Sequence, residues 1–516
     1  MKKYQIFRIL VLSFTCCIYL NSFADVAVRI DMNKINKKQV LVLIQYPKND
    51  KDTLSFGFYK IRAGSYVKHE INPLIQSISF KDNSGKELNF EKAGNNIFNV
   101  YSYGKLSTIS YVLKNDWNHA ETDRVDRNYI QDSFCLLNIS NTIGVLEGFE
   151  DSAYQMCVEG SKKLKFNNIK DAITNNEGLL CTPKKSYFDL VANPLFFTNC
   201  DTIWIQIQDR VFSIFLNSYN EFALNKISLR QMISPIVEKL ISTEKDLFPS
   251  DYSLIFCLGP SKNCYSLISL ALEHPENSVY SFPFNPGNKL MSKVIAHELL
   301  HNFTPLSFRS DSLDFLLRKQ KGNMSKHLWL YEGMTEYLAL KLLFQAKVFD
   351  TSDFFTHLAN GYVNSVSCNI PLTSISQNIF EEEMEKNMQY FYTKGAVICF
   401  LLDMAINENS GGIVGLFDIL KSIALEDPIF KEDDLIKKIS EKTNGAVDSI
   451  FQNYLLQNKS IPFEYYLAQC GYSYTSAPHK SKTRNSISSG ASIQINKANI
   501  YSDKQADTMR NLLKKL

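Results

Sequence analysis

The sequence predicts an α+β chain of several domains: a β-sandwich-like domain first, then a domain that mixes strands with helices and ends as mostly helix. Three observations carry that prediction. The chain has 516 residues, 45% of them hydrophobic, and a formal charge of +3, enough length and apolar content for two to four cores. As far as about residue 155, apolar residues recur with period two. From residue 288 onward they recur with helical spacing.

Taken in order, the N-terminus comes first. "MKKYQIFR" is basic, "ILVLSFTCCIYL" is apolar, and "NSFA" ends in small residues, which predicts an export signal over 1–24 cleaved after Ala24. The apolar run is short for a membrane span, and no other stretch is long and apolar enough to cross a bilayer. The expectation is a periplasmic or secreted protein with no stable span after the signal is removed. Residues 25–155 form the β domain, with strands at "VAVRIDM", "QVLVLIQY" and "STISYVL" and a turn at "KDNSGKE". The second domain runs over 156–476. Its β-rich part, 156–287, holds strands "DTIWIQIQ" and "YSLIFCLG" and a helix "SLRQMISPIVEKLISTEKDLF" interrupted near Pro235. Its helical part, 288–476, contains "SKHLWLYEGMTEYLALKLLFQAKVF" and "YTKGAVICFLLDMAI", both too densely apolar for surface helices. A Ser/Lys-rich tail, 477–516, is read as flexible with a short amphipathic helix at its end.

The near-neutral charge, and the lack of a Lys/Arg block interleaved with aromatics, exclude a nucleic-acid partner. Nine cysteines remain once the signal is removed; the count is odd, so at least one is left unpaired within a monomer. No CxxC pair is present, which argues against a cysteine metal site.

The chemistry is concentrated in "KVIAHELLHNF". His297 and His301 are four apart and share one helix face, so both imidazoles can reach a single ion. Glu298 sits beside that ion, placed to work on a water. Pro305 marks the end of the helix. Two imidazoles do not hold a catalytic zinc, so a third protein ligand is needed. Ser307 and Thr304 stand where short-spaced patterns need a histidine and a glycine, so the ligand comes from further along. "LWLYEGMTEYLA" offers Glu332 or Glu336, themselves i and i+4; one can bind the metal while the other accepts an N–H from a ligand histidine.

Several motifs together resemble the glycyl aminopeptidases, zinc metallopeptidases with a thermolysin-like catalytic domain. They are "GSYV" at 64–67, "YFDLVANP" at 187–194, "LEHPENSVYSFP" at 272–283, "HELLH", "WLYEGMTEY", "YTKGAVICFLLDMAI" and "IPFEYYLAQCGY" at 461–472, in order across most of 60–475. The resemblance implies one zinc ion held by His297, His301 and Glu332, with Glu298 as general base and Tyr392 stabilising the transition state. Helix geometry adds Glu336 as the partner of a ligand histidine. The resemblance also implies that strand "NSVYSFP" is the edge along which an extended peptide lies, and that Glu273, just upstream, holds the substrate's free ammonium. Two departures stand out: Leu270 and Ala271 replace glycines common before the "LEH" element, and little chain follows 475 for the PDZ domain that many members carry. The expected activity is an aminopeptidase preferring small N-terminal residues such as Gly or Ala. An endopeptidase on the same scaffold, or an exported binding protein without catalysis, are the alternatives.

Overall fold

The computed structural model describes residues 25–516 apart from 63, 65, 67–74, 95–96, 115–127, 131–133, 161–164, 167–170, 200–201, 219–225, 259–270, 283–286, 478–491, 499–501 and 515–516. The expected export signal lies outside the described residues.

The N-terminal domain grows from period-two strands. In Val26–Asp31, Val28 and Ile30 face inward while Ala27 and Arg29 face out. This strand pairs antiparallel with Gln39–Gln45 and parallel with Tyr154–Glu159, within a seven-stranded sheet. A four-stranded sheet containing Thr53–Gly57 and Ile97–Tyr101 closes over it, and Phe56, Phe80, Phe98 and Tyr111 meet between the two. The sandwich-like expectation is met, but its border moves. Strand Tyr154–Glu159 spans residue 155 and is tied by the Cys157–Cys181 disulfide to Leu180–Cys181, and Tyr187 and Phe197 sit in the same core. The domain therefore runs to about residue 199, because the strand Leu180–Cys181 and the side chains of Tyr187 and Phe197 complete its sheet and core.

The second domain opens with a five-stranded sheet: β1 (Thr202–Ile207), β2 (Arg210–Ser218), β3 (Asp251–Leu258), β4 (Ala271–His274) and β5 (Asn277–Phe282). The order is β1-β2-β3-β5-β4, with β2, β3 and β5 parallel and the outer strands antiparallel. A two-residue turn at Pro275 and Glu276 folds β4 back along β5. Among the described residues the edge is therefore β4, "ALEH", and Asn277–Phe282 lies inside the sheet, which corrects the expected substrate edge at "NSVYSFP". Between β2 and β3 runs α1 (Lys226–Glu244), continuous through Pro235. Its buried face of Leu229, Ile233, Ile236, Val237 and Leu240 packs onto the sheet and holds the helix together where propensity alone would break it.

After β5 comes α2 (Asn288–Leu300), which ends at the cap residue His301, before Pro305. A π-helical turn, Trp329–Met334, leads into α3 (Thr335–Gln345), and a second, Phe391–Gly395, leads into α4 (Ala396–Asn409). The two turns cross backbone to backbone. A Cβ on Gly333 would stand 2.7 Å from Gly395 Cα and 2.9 Å from the Phe391 carbonyl oxygen. Only glycine permits that approach.

The tail is partly built into the fold. Ser492–Lys497 pairs with Tyr472–Ala477, and the terminal helix Asp503–Lys514 buries Met509, Leu512 and Leu513. Most of the Ser/Lys-rich run lies outside the described residues. Between the domains, Phe134, Leu136 and Phe196 of the first meet Phe215, Ile255, Leu272 and Val279 of the second in one apolar cluster.

Candidate metal centre and active site

Helix α2 is pinned by Met291, Ile295 and Leu299, all buried, and this turns His297, Glu298 and His301 toward the adjoining helices. His297 Nε2 lies 3.3 Å, and His301 Nε2 3.7 Å, from the same oxygen, Glu332 Oε2. His301 Nδ1 is 2.8 Å from the Thr304 carbonyl. A carbonyl only accepts, so Nδ1 carries the proton and Nε2 presents a bare lone pair to the carboxylate. Two acceptors facing each other across 3.7 Å call for a cation between them. On the far side of His297, Glu336 Oε2 is 3.2 Å from Nδ1, and Lys293 Nζ donates to Glu336 Oε1 at 2.5 Å. The His297 ring therefore lies between two carboxylates, which orient it.

The electrostatics follow from burial and charge. At His297 burial disfavours the cation, but Glu332 and Glu336 outweigh it and hold the pKa up at about 10. At His301 burial wins and lowers it to about 4. Burial would raise Glu332, yet His301, His297 and the Tyr66 hydroxyl keep its carboxyl below the usual range. Glu336 is likewise depressed, chiefly by Lys293 and His297 acting against burial. A buried site with two imidazoles and a stabilised carboxylate fits a zinc ion, whose charge would take the place of the proton on His297.

Glu298 is also close: one oxygen of its carboxylate and a nitrogen of each histidine all lie within 4.8 Å of one another. Two carboxylates thus stand near the imidazoles, and hydrogen bonding separates them. Glu332 is held from both ends, whereas Glu298 Oε2 is buried with no hydrogen-bond partner among the described residues, and burial pushes this carboxyl up to about 8. Glu332 is the better-placed donor to a metal, and Glu298 is left for a proton. Tyr392, half-buried, sits in the π turn of α4 with its ring 5.6 Å from that of His297. Burial, then Glu332 and Glu298, push its phenol well up, so it stays a donor at working pH. Glu273, on edge strand β4, is buried with Oε1 unpartnered among the described residues, and burial followed by Glu298 and Glu332 raises its carboxyl.

Sequence reasoning brought together all seven candidates but missed two neighbours from the first domain. Tyr66 donates from its hydroxyl to Glu332 Oε1 at 2.6 Å. Gly64, at φ +71°, lies so close to Glu273 that a Cβ would fall 2.1 Å from Oε2. Both belong to "GSYV", whose own pattern carries no chemistry; only the tertiary fold gives it any.

A mixed sheet leading into an HExxH helix, with a distant glutamate closing on both histidines, defines a zinc metallopeptidase. Comparison with known families narrows this. Residues 27–199 match the Peptidase M61 N-terminal domain and residues 291–398 the M61 glycyl aminopeptidase domain, together more than half of the chain. The chain belongs to the M61 glycyl aminopeptidase family. Among solved structures it is similar to an aminopeptidase N family protein from Idiomarina loihiensis, at 16% identity over 89% of this chain and 82% of that one, with a TM-score of 0.74, a likeness of fold. It is also similar to an M1 zinc metallopeptidase from Deinococcus radiodurans, at 12% identity over 85% and 94% of the two chains, with a TM-score of 0.49. No curated protein matches by sequence.

Proposed function

We propose that the chain is an exported aminopeptidase that removes small N-terminal residues such as glycine or alanine, with one zinc ion held by His297, His301 and Glu332. The observation that supports it most is the meeting of two Nε2 atoms on one oxygen of Glu332, beside a buried Glu298 oxygen with no partner. A zinc ion held there would supply an acidified water, with a pKa of about 7, and a Lewis acid for the substrate carbonyl. Glu298 takes the proton of the attacking water and delivers it to the departing amine. The Tyr392 hydroxyl donates to the oxygen that gains charge as the carbonyl is attacked. Glu336, 3.2 Å from His297 Nδ1, faces the ring's other nitrogen and would keep it turned toward the metal.

Exopeptidase action rests on Glu273. The substrate lies along β4, the sheet edge, and its ammonium meets the Glu273 carboxylate; that cation supplies the charge the buried carboxylate lacks. Export rests on the basic and apolar run before Ala24. Digestion of a peptide set by the zinc-loaded mature chain tests the reading. Short peptides with free N-terminal Gly or Ala are cleaved one residue at a time, and N-acetylation abolishes cleavage. Internal cleavage of acetylated peptides, untouched by Glu273→Ala, would instead make this an endopeptidase. N-terminal sequencing of the exported protein is expected to begin at Asp25, and a retained Met1 would refute processing.

A further inference from the structure

The first domain does more than pack against the second. Its chain after strand Thr53–Gly57 crosses to the catalytic domain and is gripped there. The Gln320 side chain accepts from the amides of Lys60 and Ile61 through Oε1, at 2.8 and 2.9 Å, and donates from Nε2 to the Ile61 carbonyl at 2.9 Å. The Tyr59 hydroxyl donates to the Arg318 carbonyl at 2.6 Å. Ile61 and Tyr66 are buried in the catalytic core. Arg62 donates to Asn141 at 2.7 Å, tying the segment back to its own domain. At the end of this braced segment, the Tyr66 hydroxyl reaches Glu332 Oε1.

From this geometry we infer that Tyr66 is a positioning residue for the metal, holding one oxygen of Glu332 so that only the other faces the two histidines. The inference rests on the zinc reading of His297, His301 and Glu332. A carboxylate free to rotate can offer either oxygen, or both, to a cation. With Oε1 taken at 2.6 Å by a buried phenol, Oε2 alone remains between the imidazoles, at 3.3 and 3.7 Å. A single-oxygen ligand leaves more of the ion's coordination open to water and substrate. Among the described residues the Tyr66 hydroxyl has no other hydrogen-bond partner, and its ring is fixed by the core, so the hydroxyl's direction is set before any ion arrives. Of the groups that orient the ligands, it is the one supplied by the N-terminal domain, and it makes the metal centre a property of both domains.

The test uses the full mature chain and Tyr66→Phe, which removes one oxygen and keeps the ring. Zinc affinity is read by competition with a chromophoric chelator, and folding by melting of the chelated protein. A positioning role predicts zinc binding weakened about 10- to 100-fold, the usual cost of losing a group that orients a ligand. Melting of the chelated chain stays close to that of the parent, and the visible spectrum of the cobalt-substituted protein changes, since its bands report ligand geometry. Parental zinc affinity together with a parental cobalt spectrum would reduce Tyr66 to packing and overturn the inference. Failure of the parent itself to hold zinc would overturn the reading of the site instead. Should Tyr66→Phe not fold, 3-fluorotyrosine at position 66 retains the donor, and its fluorine resonance must move when zinc is withdrawn from the folded chain. An unmoved resonance overturns the inference as well.

Discussion

Glu298 and Glu332 are both buried carboxylates within reach of the same two imidazoles, and their substitutions separate their roles. Glu298→Gln is expected to retain zinc near stoichiometry while turnover falls about 10²–10⁴-fold, the usual span for a lost general base. Glu332→Gln is expected to lose metal, because a neutral amide is a poorer ligand than a carboxylate. Metal content and single-turnover rates on each variant check this, and equal metal loss in both would reject the division. Tyr392→Phe is expected to keep zinc and lower kcat by about 10²–10³-fold with little change in KM. At Gly64 two penalties coincide: a positive φ that alanine tolerates poorly, and a Cβ that would strike Glu273. Gly64→Ala is expected to lower both the melting temperature and the rate on free-amine peptides. Glu332 as the ligand and the role of Tyr392 came from the resemblance to the glycyl aminopeptidases. His297, His301 and Glu298, and the choice between Glu332 and Glu336, were readable from i, i+4 spacing, which is local geometry. Tyr66 and Gly64 were not, because their roles are made by contacts more than 200 residues away along the chain.

Among the elements, the π turns before α3 and α4 show what local pattern leaves out. The apolar density around Glu332 and Tyr392 marked both segments as core helix, yet the wide turns have no signature of their own. They accompany the crossing at Gly333 and Gly395, a tertiary contact. Gly333→Ala places a methyl against backbone that cannot turn aside, so a loss of about 1–3 kcal/mol is expected. Zinc affinity should fall with it, since Glu332 is the preceding residue; denaturant titration and chelator competition measure the two effects. The substrate edge was misplaced for a similar reason. The resemblance placed the edge at "NSVYSFP", but a sheet's order depends on which way the four-residue "ALEH" hairpin arm folds. Pro235 was overrated as a helix breaker because propensity takes no account of the buried face that holds α1 in place.

For the molecule as a whole, pH and domain docking are the accessible variables. His274 is buried with its pKa lowered to about 4 by burial, and His327 is lowered for the same reason. His327 Nε2 donates to the Glu432 carbonyl at 2.8 Å and its Nδ1 accepts from Trp329 Nε1 at 3.3 Å, an arrangement that needs the neutral ring. A histidine depressed in the folded state binds its proton first in the unfolded chain, so its contribution is intact above about pH 6.5. It is lost as pH falls from there toward 4. Acid titration of the chelated protein, compared with His274→Asn, is expected to show a shallower loss in the variant. Gln320→Ala releases the segment that carries Tyr66 and is expected to weaken zinc binding in the same direction as Tyr66→Phe, by a smaller factor. The domain border moves by some forty residues because Leu180–Cys181, Tyr187 and Phe197 join the first core through non-local contacts that alternation cannot reveal.

The apolar cluster between the domains has a consequence for how the protein is made. Translation delivers Phe134, Leu136 and Phe196 well before the strands bearing Phe215, Ile255, Leu272 and Val279 that cover them. During that interval the nascent first domain carries a sticky aromatic face with nothing to seal it. A chain stopped near residue 200 should therefore self-associate, while one extended past Phe282 should not. Biogenesis, as much as catalysis, then depends on the two domains arriving together.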